Sequence, residues 1–168
     1  MTKQEPWFLE MRAVAFASLV LTKHNKAKVQ PYAGHDIAID LLVEILKDGK
    51  STLRFFGAQL VPYLDLPTIE DADERVLSHF GRDPFEASLP ICVFVIGVRK
   101  PEGIYRWVVE PIVENGRALL HPDAEANWQP LDEAGAGRLI GQVKAWYDAL
   151  NGDSTPKVRG RHSKTEPG

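Results

Sequence analysis

Carboxylates recur at every fourth position on a single stretch of this chain. The run DIAIDLLVEI, residues 36–45, alternates so that Asp36, Ala38, Asp40, Leu42 and Glu44 point one way, and Ile37, Ile39, Leu41, Val43 and Ile45 the other. One face is pure core. The acidic face could hold a hard cation, because Mg²⁺ prefers carboxylate oxygen. In the run LRFFGAQLV, residues 53–61, Leu53, Phe55, Gly57, Gln59 and Val61 share a face, so a hairpin would set Gln59 and Val61 beside Asp40. A polar amide between Ala58 and Leu60 is partly buried and must find partners. A structural reading stands beside the chemical one. Asp40 could cap a turn or bond a backbone amide, and Asp36, after Gly34 and His35, suits a turn.

Other chemistries have less behind them. The single Cys92 lies inside the apolar run ICVFVIGV, where a packed, inert thiol is expected, and it cannot form an internal disulfide. None of the five histidines has zinc-ligand spacing to another His or to Cys92. No serine sits in a Gly-x-Ser-x-Gly setting, and no glycine-rich loop opens a helix. Trp7, Tyr105, Trp107 and Trp128 read as core or groove-wall residues, although Tyr105 and Trp107 become partner-contact candidates if they face outward.

At 168 residues with 44% hydrophobic and 26% charged content, the chain suits one globular domain. We place that domain at residues 1–150, followed by a basic, disordered tail at 151–168. The tail holds Lys157, Arg159, Arg161 and Lys164 against Asp153 and Glu166, which leaves the body more acidic than the chain's net −3. An acidic body lacks the dense basic face of a general phosphate binder. No segment reaches the ~18 apolar residues of a membrane span. The richest, residues 7–21, is broken by Glu10 and Arg12 and lacks signal-peptide features, so a cytoplasmic protein without membrane partners is expected.

The elements that must position these residues follow from periodicity and turn chemistry. A first helix spans residues 6–23 and is apolar nearly all round, which predicts burial between other elements. Strands follow at 27–32, 36–46 and 52–61, the last two joined through Asp48-Gly49. Thr68 opens a short helix through residue 80. Residues 91–99 form a central strand, and 104–113 another that ends at Asn115-Gly116. An irregular stretch at 119–129 precedes an amphipathic helix at 132–150, with Leu139, Ile140, Val143, Trp146, Tyr147 and Leu150 as its stripe. The fold class is α/β in the order α-β-β-β-α-β-β-α. The triplet Gln142-Val143-Lys144 lies in that last helix, where its two polar ends splay to either side of Val143 and share no face.

This order, with DIAID, a hairpin and GAQL, resembles the DUF4365 family of the PD-(D/E)XK nuclease-like superfamily. Asp36, Ile39, Asp40 and Gln59 match the family's run, while Ala38 replaces a glycine and Val61 stands where the family has lysine. Leu89-Pro90-Ile91, Tyr105-Arg106-Trp107 and Trp128 are similar to its later pattern, so the resemblance spans roughly residues 13–150. It implies a single restriction-endonuclease-like domain with a central mixed sheet flanked by helices. It also implies a Mg²⁺ site with Asp40 and Gln59 as ligands and Glu10 completing it, and a lysine that orients water and offsets developing charge. Valine cannot do that work, and Lys28 and His35 are the conceivable substitutes.

The resulting expectation is a catalytically degenerate nuclease-fold domain that binds or regulates, in bacterial defence or mobile-element biology. No cofactor is expected, or Mg²⁺ if the chain is active. Two alternatives remain: an active Mg²⁺-dependent nuclease with a relocated lysine, and an inhibitor, immunity or assembly factor with no nucleic-acid role. The partner is then an unknown protein or nucleic acid, and a homo-oligomer could form by edge pairing of the 104–113 strand.

Overall fold

The computed structural model describes residues 7–33, 39–80, 87–122 and 127–152. Their order is α1 (Trp7–Thr22), β1 (Ala27–Pro31), β2 (Leu41–Lys47), β3 (Lys50–Tyr63), α2 (Ile69–Phe80), β4 (Ile91–Gly97), β5 (Glu102–Glu114), β6 (Arg117–Pro122), β7 (Gln129–Pro130) and α3 (Glu133–Gly152). The strands make one open mixed sheet in the order β1-β2-β3-β4-β5-β6, with β7 on β5. All pairings are antiparallel except β3 with β4. A parallel pair needs a long crossover, and α2 supplies it.

Local chemistry explains the connections. Asp48 and Gly49 have φ of 52° and 71°, and Asn115 and Gly116 have 52° and 75°, the positive pairs that two-residue hairpins require. Thr68 Oγ1 accepts the Asp71 N–H at 3.2 Å and caps α2. Asp132 Oδ1 accepts the Gly135 N–H at 2.7 Å and caps α3. Gly135 must be glycine, since a Cβ there would meet the Pro130 carbonyl at 2.0 Å.

Strand alternation divides the core in two. Leu41, Val43, Phe56, Ala58, Leu60, Cys92, Phe94, Tyr105 and Trp107 pack under α1 and α3. Val61, Val93, Val95 and Val109 pack on the other face with Ala72 and Val76 of α2. Every residue of β4 is buried, as a strand covered on both faces should be.

Four expectations are corrected. Residues 119–129 are not irregular throughout: β6 pairs along β5 from Glu114 to Val109, and β7 pairs with Tyr105 and Ile104. The order is therefore α-β-β-β-α-β-β-β-β-α. In consequence β5 is no free edge, because β4 lies on one side and β6 and β7 on the other. Helix α1 is buried on one side only, through Leu9, Ala13, Ala17 and Leu21. Finally, β2 does not run through Asp40. A bend there sends Ile39 into the cluster under α2, while Leu41 and Val43 face α1, so the face alternation breaks between them. Among the described residues no helix is long and apolar enough to cross a membrane.

Candidate functional site

Asp40 occupies that bend and ties three strands together. Its N–H donates to Ala58 O at 2.9 Å, its carbonyl accepts the Tyr32 N–H at 2.9 Å, and its Oδ2 accepts the Leu60 N–H at 2.7 Å. The last bond has a clear cause. Pairing with β2 ends at Leu41 and Ala58, so the Leu60 N–H has no β2 carbonyl opposite it. Gly57 donates to Pro90 O on the β4 side, so odd-numbered residues of β3 turn their N–H groups toward β4 and even-numbered ones away. Leu60 is satisfied by Asp40, and Pro62, of the same parity, has no N–H to satisfy. Gly57 leaves room for Ile39, whose Cγ2 would lie 2.9 Å from an added Cβ.

Gln59 and Val61 project to the α2 face, where Val61 is 2% exposed among Ala72, Val76, Val93 and Val95. Burying such a side chain contributes roughly 1.5–3 kcal/mol. Gln59 is buried, and among the described residues its Oε1 has no partner. On the neighbouring strand Val93 stands opposite both Gln59 and Arg106, which puts all three in one row with Arg106 two strands from Gln59. Arg106 is also buried, with Nη1 at 2.9 Å from Asp73 Oδ1 and its guanidinium 5.5 Å from the Trp128 ring centre. Trp128 Nε1 donates to the same Asp73 oxygen at 2.8 Å, and Arg106 Nε is left without a partner. This Asp73–Arg106–Trp128 group was hidden from sequence spacing, since it joins a helix, a strand and a loop; only Tyr105-Arg106-Trp107 and Trp128 as motif fragments hinted at it.

The remaining candidates are dispersed. Glu10 is exposed on α1, whose buried side packs on the sheet face opposite Gln59 and Val61. Lys28 pairs in register with Glu44, and Glu44 with Phe55. That leaves Lys28 six residues of strand from Val61, about 20 Å at ~3.3 Å per residue. It cannot reach Val61, where the resemblance expects a lysine. Asp36 and His35 lie outside the described residues. Tyr105 and Trp107 are inward, at 4% and 5% exposure, which removes them as partner contacts. Trp107 Nε1 donates to Gln142 Oε1 at 3.0 Å, and Gln142 Nε2 donates to Glu110 Oε1 at 3.1 Å, so Gln142 fastens α3 to β5. Burial pushes the Tyr105 hydroxyl above its usual pKa, against a hydrogen bond to Arg138. Burial likewise pushes the Cys92 thiol well up, so it stays protonated and unreactive.

These residues do not fit a Mg²⁺ centre. Asp40 Oδ2 is committed to a backbone N–H, Ile39 lies over Gly57, Val61 is apolar, and Glu10 belongs to the other face. The arrangement can hold strands together, and among the described residues it leaves Gln59 Oε1 and Arg106 Nε unpartnered near α2, and Glu44 Oε1 unpartnered opposite Lys28. The class of protein is thus an α/β domain with an open seven-stranded mixed sheet flanked by helices. No protein-family model matches the chain, and neither a curated protein nor a solved structure does.

Proposed function

We propose that this chain is a catalytically degenerate domain of the PD-(D/E)XK nuclease-like type, of restriction-endonuclease-like fold, that acts by binding as a regulatory or interaction module. The order α1-β1-β2-β3-α2-β4, with β3 and β4 parallel, supports the fold reading, as do Asp40 and Gln59 where β2 and β3 separate. One observation carries the loss of activity. The position where a lysine would offset charge is Val61, packed between the sheet and α2. An electrostatic stabiliser of that kind is worth on the order of 10²- to 10³-fold in rate, and the described residues give it no replacement cation at Val61. Arg106 is committed to Asp73.

The test is incubation of the full chain with Mg²⁺ or Mn²⁺ and single-stranded DNA, duplex DNA or RNA. No cleavage above buffer is expected. Cleavage that disappears in Asp40→Ala would overturn the proposal in favour of an active enzyme.

A further inference from the structure

Helix α1 is apolar on two sides, and the described residues cover one. Opposite the buried stripe, Trp7, Met11, Ala15 and Leu19 recur at every fourth position, with Trp7, Met11 and Leu19 exposed at 74%, 62% and 72%. A contiguous exposed apolar stripe on an ordered helix marks an interaction surface. Beside its Leu19 end lies a groove of about 620 Å³ walled by Phe16, Val20, Leu66, Ile104 and Leu131, with Lys23, Glu102 and Glu133 among its polar rim residues. An apolar centre with a charged rim is the usual anatomy of a protein interface.

We infer that this face binds a second copy of the same chain, with the two α1 helices antiparallel and Trp7 of each copy seated against the other's Leu19 groove. The stripe is self-complementary. A two-fold axis at the level of Ala13 sets Trp7 against the other copy's Leu19, and Met11 against its Ala15, so large side chains meet small ones or a groove. Ridges built from every fourth residue run alongside one another when two helices cross at about −50°, the commonest helix packing. Trp7 and Leu19 are twelve residues apart, about 18 Å along the axis at 1.5 Å per residue, so both ends engage at once.

The area is sufficient for a dimer of modest affinity. Trp7, Met11 and Leu19 together offer on the order of 400 Å² per copy. With the groove walls, the pair reaches the lower end of the ~1,200–2,000 Å² of specific interfaces. Residues 153–168 carry one aliphatic side chain, Val158, too little to occupy the stripe, and a second copy supplies large apolar side chains in matching order. This inference is independent of the proposed loss of cleavage.

Sedimentation velocity on the full chain tests it, starting from a monomer of 18.8 kDa. A concentration-dependent shift to twice that mass below ~100 µM is expected. Leu19→Asp should weaken it at least tenfold while leaving circular dichroism unchanged, because the side chain is exposed. Mixing Trp7→Cys with Leu19→Cys should give a disulfide-linked heterodimer that neither variant forms alone; Cys92 is buried and does not compete. A monomer at ~100 µM, a dimer insensitive to Leu19→Asp, or linking of Trp7→Cys to itself would each overturn the inference. So would a monomer that co-floats with phosphatidylcholine–phosphatidylglycerol vesicles, since lipid would then be the occupant.

Discussion

The two faces of the sheet are finished to different standards. Under α1 and α3 the large side chains interlock, and the polar groups among them are paired: Trp107 with Gln142, Trp146 Nε1 with Leu119 O at 2.9 Å, and Tyr147 with both backbone groups of Phe55. Under α2 the buried set is mostly valine, with Ile39, Ile91 and Ala72, and buried Gln59 Oε1 and Arg106 Nε have no partners among the described residues. Buried polar atoms usually find partners, so a face that keeps unpaired ones is where a former or present binding role is to be sought. The first face is scaffold. The second carries the positions that the family resemblance assigns to chemistry, with an apolar side chain at the decisive one.

Substitutions can break that contrast, the largest effect first. Phe94→Ala empties a fully buried site on the scaffold face and should cost about 3–5 kcal/mol, read by urea unfolding. Asp73→Ala strips both Arg106 and Trp128 of their shared acceptor. The cost should be about 2–3 kcal/mol, below that of a fully buried pair because Asp73 is partly exposed, and Arg106→Leu added to it should recover part of the loss. If the double variant is less stable than Asp73→Ala, Arg106 is not a buried charge in need of a partner.

Asp40→Ala should cost about 1–2 kcal/mol by orphaning the Leu60 N–H. A residue kept for metal binding would behave oppositely, gaining stability in metal-free buffer when its charge is removed. The smallest effect is one of pH. Arg54 and then Lys144 hold the Asp148 carboxyl below its ordinary range. A pKa lowered by folding stabilises above the unfolded value of ~3.9, and that contribution is lost as pH falls through the folded value. Melts of the native chain should therefore lose slightly more stability below about pH 4 than melts of Asp148→Asn, by under ~1 kcal/mol because the carboxyl is half-exposed and solvent-screened.

Turn and cap chemistry made much of the fold readable. Asp48-Gly49, Thr68 and the continuous apolar run of β4 each dictate a local conformation that tertiary structure had no reason to override. Asn115-Gly116 carries the same information, but the strand after it, Arg117 to Pro122, has two adjacent leucines and no alternation of apolar and polar types, although Ala118 and Leu120 are half-buried between exposed neighbours. The site was readable as residue types and less so as geometry. Strict alternation put Asp40 on the face of Gln59, whereas the bend that frees its carboxylate for Leu60 also moves Ile39 over Gly57. Nothing in the local sequence announces that break. The one-sided burial of α1 was equally invisible, because periodicity reports that a face is apolar without saying what covers it.

The central proposal, that Val61 fills as core the position where the resemblance expects a lysine, is tested most directly by Val61→Lys unfolded with and without Mg²⁺. Introducing an unpaired charge among Ala72, Val76, Val93 and Val95 should cost about 3–5 kcal/mol, and the loss should be the same whether or not the cation is present. A Val61→Lys protein that keeps its stability, melts higher as Mg²⁺ is added and cleaves nucleic acid would contradict the claim.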